Sequence, residues 1–101
     1  MNGKWCDLMY KAEILEEAKR LVTQDRNETH GDAKKQLTQV ANLWATFAGY
    51  NFSAADVAMM NVLQKISRTA HGKLNTDDFV DICGYAAIAG ELASLEAGQN
   101  W

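Results

Sequence analysis

Four groups of side chains in this sequence have the types and spacing to do chemistry. The first is Glu13, Glu16 and Glu17. Residues three and four apart share a helix face, so these carboxylates repel one another by a few tenths of a kcal/mol per pair on a helix, about the size of one exposed ion pair. A hard divalent cation such as Mg²⁺ would reverse that cost. The plainer reading is a solvated face on which Glu16 pairs with Arg20. The second group is Asp77, Asp78 and Asp81, with Asp78, Asp81 and Tyr85 on one line of a helix. Asp77 and Asp78 suit a helix N-terminus, where negative charge complements the dipole. Asp81 interrupts an apolar run, and a buried carboxylate needs a partner. The third group, Lys65-Ile66-Ser67-Arg68, sets two cations three residues apart, and Asn61 and Gln64 extend the same polar stripe. The fourth is the polar connector from Asp25 to Asp32, where Arg26 and His30 precede a helix start and could present an anion site. An ordinary capped loop, with Asp32 as the cap, accounts for the same residues.

These groups need elements to position them, and the apolar periodicity predicts four helices at about 7–23, 33–48, 53–70 and 76–97. Leu8, Ile14, Leu15, Ala18, Leu21 and Val22 form the stripe of the first, and Leu37, Val40, Ala41, Trp44 and Phe47 or Ala48 that of the second. Ser53 is a good N-cap for the third, followed by Val57, Met59, Met60, Leu63 and Ile66. Gly98 is expected to end the fourth. No stretch alternates in strand fashion. The fold class is therefore all-α, a bundle of four helices in one domain.

The third and fourth helices are joined by a link of about six residues, so they should be antiparallel neighbours. That brings Lys65 and Arg68 beside Asp78 and Asp81. The arrangement reads either as an ion-pair network that sets helix register, or as a phosphate grip beside carboxylates that hold a metal. The fourth helix is apolar or small nearly all round between Phe79 and Leu95. Such a helix is covered on several sides. Either it is the central helix of a single chain, or part of it lies in a subunit interface; the second reading is favoured and predicts a homo-oligomer.

Composition narrows the classes further. The 101 residues contain no proline, where average usage of about 5% predicts about five. This favours long helices joined by glycine and asparagine turns, and excludes a proline-rich linker. A net charge of −3 and a pI near 5.2 disfavour a nucleic-acid binder, which carries a basic face. Cys6 and Cys83 make no disulfide framework and no zinc signature, although a single bridge between them stays open. No apolar run is long enough to span a membrane. Met1 to Tyr10 does not read as a secretory signal. A reducing cytoplasm is the expected compartment.

The order Arg26, His30-Gly31-Asp32, Leu43-Trp44, Asp56-Val57-Ala58-Met59-Met60, Lys65-Ile66-Ser67-Arg68, Asp77-Asp78 and Asp81-Ile82-Cys83-Gly84-Tyr85 resembles a family of small phage and prophage proteins of unknown function. The resemblance runs from about Ala12 to Leu92. A more distant likeness is to the all-α, MazG-like nucleoside triphosphate pyrophosphohydrolases, which bind Mg²⁺ through an ExxE and an ExxD on neighbouring helices. In that likeness Glu13, Glu16 and Glu17 stand for the first motif, and Asp78 and Asp81 for the second. The sequence departs from the pattern in three ways. The motifs lie further apart, aspartate replaces glutamate, and the KxxR precedes the second motif. The expected activity is accordingly binding of a nucleotide-like phosphorylated ligand by Lys65, Arg68, Arg26, His30 and Tyr85, with Mg²⁺ on the carboxylates. The alternatives are a non-enzymatic phage protein that binds and blocks a host protein, and a pyrophosphohydrolase.

Overall fold

The computed structural model describes residues 8–25 and 32–99. Among them are four α-helices and no strand: α1 (Lys11–Arg20), continued by a π-helical turn (Leu21–Asp25), then α2 (Ala33–Ala48), α3 (Ala54–Thr69) and α4 (Thr76–Gln99). The all-α class is as the periodicity predicts. Each helix starts where a side chain can satisfy the unpaired N–H groups of a first turn. Asp32 Oδ1 accepts from the Lys34 N–H at 3.0 Å to open α2. Ser53 and Asp56 exchange reciprocal bonds of 3.0 and 2.9 Å to open α3. Asn75 Oδ1 accepts from the Asp77 N–H at 3.0 Å to open α4. Gly49, at φ +70°, ends α2 in the left-handed conformation that glycine adopts without strain.

The bounds of the first and fourth helices differ from the sequence expectation: regular α1 ends at Arg20 and a π-helical turn carries it to Asp25, where an end near Thr23 is expected. α1 begins at Lys11 and not near Asp7, because Tyr10 is extended and its N–H donates to Glu13 Oε1 at 2.8 Å. α4 runs past Gly98 to Gln99. Among the described glycines only Gly49 and Gly72 have positive φ, so Gly98 lacks the left-handed turn that stops a helix. Within the π-helical turn the Thr23 hydroxyl donates to the Lys19 carbonyl at 2.6 Å, a local bond that competes with the regular ladder.

α4 is the central helix. α3 packs along one side of it, more extensively than any other pair of helices, and α1 packs on another. α2 lies on α3 and closes the core, where Leu37 and Ala41 meet Val57, Ala58, Ala89 and Leu92. Val80 is buried about two and a half turns before Ala89, hence on the opposite face of α4. Gly84 lies on that opposite side, where Val22 Cγ1 is 3.3 Å from the position a Cβ would take. The small residues of α4 thus admit neighbours on two sides within one chain, while Phe79, Ala86, Ala87, Gly90 and Leu95 stay exposed on the rest of the helix.

The apolar stripes are only partly the buried ones. In α3 the core is Ala55, Val57, Ala58 and Val62, whereas Met59, Met60, Leu63 and Ile66 are exposed. Phe47 is 94% exposed, and Leu8, Leu15 and Leu43 also face outward. α3 has more apolar positions than one helix face can hold, and close approach to α4 selects its smaller ones. Trp44 is partly buried against the core, edge-on to Phe52 at 6.1 Å. Cys83 is a half-buried free thiol, and Cys6 lies outside the described residues. No described helix is long and apolar enough to cross a membrane.

Two glycine substitutions test this packing in opposite directions. Gly84→Leu drives a side chain into Val22 and should lower unfolding free energy by about 1–3 kcal/mol, the usual cost of overpacking. Gly90 has open space around it, so Gly90→Ala should raise stability by about 0.5–1 kcal/mol through helix propensity alone. Urea denaturation followed by circular dichroism measures both.

Candidate functional site

The seam between α3 and α4 brings together the charges that the sequence singles out. Lys65 Nζ is 2.8 Å from Asp81 Oδ2, and Arg68 Nε is 3.4 Å from Asp78 Oδ1. The later cation meets the earlier acid, which is the signature of antiparallel helices. Asp78 is buried in the first turn of α4, at the positive end of the helix dipole and beside the Arg68 guanidinium. The Lys65 and Asp81 side chains are each partly buried. The Arg68 side chain is 55% exposed, so one edge of the seam opens to solvent. Tyr85 lies one turn beyond Asp81 on α4 and is half-buried.

Each cation of the seam faces one carboxylate, and the four charges balance. Their first consequence is register. Sliding α3 along α4 by one turn would leave the Asp78 carboxylate buried away from Arg68, and an uncompensated buried charge is strongly destabilising.

The carboxylates of α1 have other partners. Glu13 holds the Tyr10 N–H, and Glu17 pairs with Arg20 three residues on. The expected pairing of Arg20 with Glu16 is therefore replaced by the i, i+3 pairing with Glu17. Glu16 is exposed on the same side of the helix, along an open depression of about 710 Å³ that Met9, Lys19 and Arg20 also line. Among the described residues no three His, Cys, Asp or Glu side chains are grouped to share one metal ion. The structure thus joins Lys65 and Arg68 to Asp78 and Asp81, and does not gather Glu13, Glu16 and Glu17 with them around a common point. Arg26 and His30 lie outside the described residues.

The sequence reading passes over one surface. Leu43 and Phe47 sit four apart on the outer face of α2, and Tyr50 follows just beyond the helix; all three are exposed. The Tyr50 ring is braced edge-on against Phe52 at 5.4 Å. A signal was present. Phe47 lies at the edge of the stripe that the periodicity assigns to α2, and Leu43 four residues before it widens the apolar surface beyond what one core face takes up.

Comparison with known proteins places the chain in a family. Residues 13–93 match the model of a domain of unknown function, DUF6378, and the chain belongs to that family. It is similar to the Gene 55 protein of Mycobacterium phage L5, with 37% identity over 76 residues, covering 74% of this chain and 49% of that protein. It is also similar to the Gene 55 protein of Mycobacterium phage D29, with 36% identity over 73 residues, covering 72% of this chain and 48% of the relative. The chain spans about half the length of these curated relatives. No solved structure matches it. The resemblance to small phage proteins of unknown function is borne out.

Double-mutant cycles separate the two ion pairs of the seam. Removing Arg68 leaves Asp78 buried, so Arg68→Ala should cost about 1–3 kcal/mol of stability. Arg68→Ala combined with Asp78→Ala should show a coupling of about 1 kcal/mol or more. The more solvated pair, cycled through Lys65→Ala and Asp81→Ala, should couple by less than about 1 kcal/mol. Chemical denaturation of the singles and doubles gives both values.

Proposed function

We propose that this protein is a phage accessory protein that works by binding another protein, one of the bacterial host, without chemistry of its own. The observation that carries the reading is the outer face of α2, where Phe47 is 94% exposed with Leu43 a turn before it, and exposed Tyr50 follows three residues on. Exposed apolar patches on soluble domains mark interaction sites, and aromatic side chains dominate binding energy at such sites. The brace from Phe52 lowers the entropy cost of using Tyr50 as an anchor. In this reading the charges of the α3–α4 seam hold the bundle in register. The relatives being phage proteins supports a host target.

The test is capture from host lysate on the immobilised full chain, followed by affinity measurement with the captured protein. Phe47→Ala should weaken binding at least about 30-fold, since a hot-spot truncation costs about 2 kcal/mol or more. It should leave the fold intact, because that side chain touches little of its own chain. Binding that survives Phe47→Ala and Leu43→Ala, yet disappears in a folded Arg68→Ala variant, would overturn the reading.

The half-exposed Arg68 guanidinium favours a second reading, a nucleotide-like phosphorylated ligand docking at the open edge of the seam. Mg²⁺ would then arrive with the phosphate groups, since the described carboxylates are not grouped to hold it. A pyrophosphohydrolase draws no support from those carboxylates. Calorimetric titration with a nucleotide panel and Mg²⁺, cyclic nucleotides included, decides the matter. Heat that Arg68→Ala abolishes supports ligand binding, and no heat with any nucleotide rules it out.

A further inference from the structure

We infer that the outward face of α3 is a self-association seam, at which a second copy of this chain packs its own α3 antiparallel. The face is read along the helix as Asp56, Met59, Leu63, Ile66 and Ala70, at steps of three, four, three and four residues. That is the spacing of the apolar seam of paired helices, in which each side chain inserts between residues of the facing helix. This seam is distinct from the one α3 uses inside the chain. The inner face is Ala55, Ala58 and Val62 against the bundle, whereas the outer is open, with Leu63 63%, Met59 48% and Ile66 47% exposed. Met60 is also exposed and adds to its edge. A soluble helix normally needs one apolar stripe, and α3 carries two.

The order of residues along the outer seam specifies the occupant. Leu63 is its midpoint, with Met59 and Ile66 on either side, and Asp56 and Ala70 each about 10 Å away along the axis. Placed on a two-fold axis, Leu63 of one copy meets Leu63 of the other, and each Met59 meets the opposite Ile66. The acidic end of the seam, Asp56, then approaches the far end of the other helix, where Lys73 follows the turn. Asp56 and Lys73 are both exposed. A parallel pairing would instead set the two Asp56 carboxylates together and align the helix dipoles unfavourably. The antiparallel arrangement is complementary in charge and in dipole, which fits a second copy of this chain to this face. The inference rests on α3 and is independent of the α2 surface that carries the proposed function.

Sedimentation equilibrium of the full chain tests it. The expected species has twice the 11.2 kDa mass of one chain. Leu63→Asp puts a charge on the axis in both copies and should raise the dimer dissociation constant at least about 100-fold. Phe47→Ala should leave it unchanged. Cross-linking checks orientation in a background carrying Cys6→Ser and Cys83→Ala, and does so even if Leu63→Asp fails to fold. Leu63→Cys should form a disulfide-linked dimer on mild oxidation, and Met59→Cys alone should not, whereas mixed Met59→Cys and Ile66→Cys chains should. A monomeric wild-type chain overturns the inference, as does a dimer indifferent to Leu63→Asp, or a Met59→Cys chain that cross-links as readily as Leu63→Cys. A monomer that loses a different protein partner on Leu63→Asp also overturns it, and assigns the seam to that partner.

Discussion

The antiparallel packing of α3 on α4, pinned by the Arg68–Asp78 pair, is the constraint on which the rest of the structure depends. Asp78 is a buried carboxylate at a helix start, and burial is tolerable only where a cation and the dipole offset the loss of hydration. Once Arg68 supplies that cation, the register of the two helices follows. Lys65 then falls opposite Asp81, and the small inner face of α3 falls against α4. α2 is tied to α3 by the short Gly49–Ser53 link and can only close over the same core. α1 and its π-helical continuation take another side of α4, with Val22 against Gly84.

This economy has a consequence for the surface. The inner contacts are made largely by alanine and valine, which permit close helix approach but bury little area per residue. The larger side chains of the same helices, Leu43, Phe47, Met59, Leu63 and Ile66, are left outside. A bundle built in this way holds its fold with small residues and a charged seam, and presents its large apolar groups to other molecules. The interaction surfaces and the small core are two aspects of one packing solution.

Much of the fold was legible in the residues themselves. The caps at Asp32, Ser53 and Asn75, the stop at Gly49 and the absence of proline are local signals, and local hydrogen bonding decides them. The meeting of Lys65 and Arg68 with Asp81 and Asp78 was legible too, because a six-residue link leaves antiparallel helices little freedom. The start of α1 was not, since it depends on a bond between Tyr10 and Glu13 that no apolar pattern records. Nor was the partner of Arg20, because Glu16 and Glu17 both lie within reach on the helix and rotamer choice decides between them.

By itself, then, the sequence determined the all-α class, the four helices of the described residues, where most of them begin and end, and which charges share a seam. Those features follow from interactions between residues close in the chain or joined by a short turn. Tertiary structure alone decided which of two apolar stripes on α2 and α3 is core and which is surface. Periodicity marks a face as apolar without saying what covers it, and only the packing of the neighbouring helix makes that choice. The same holds for α4, whose uniform apolarity suggested a second subunit. In the folded chain α1 and α3 pack on two of its sides and leave Phe79, Ala86, Ala87, Gly90 and Leu95 exposed, a division that its uniform apolarity could not foretell.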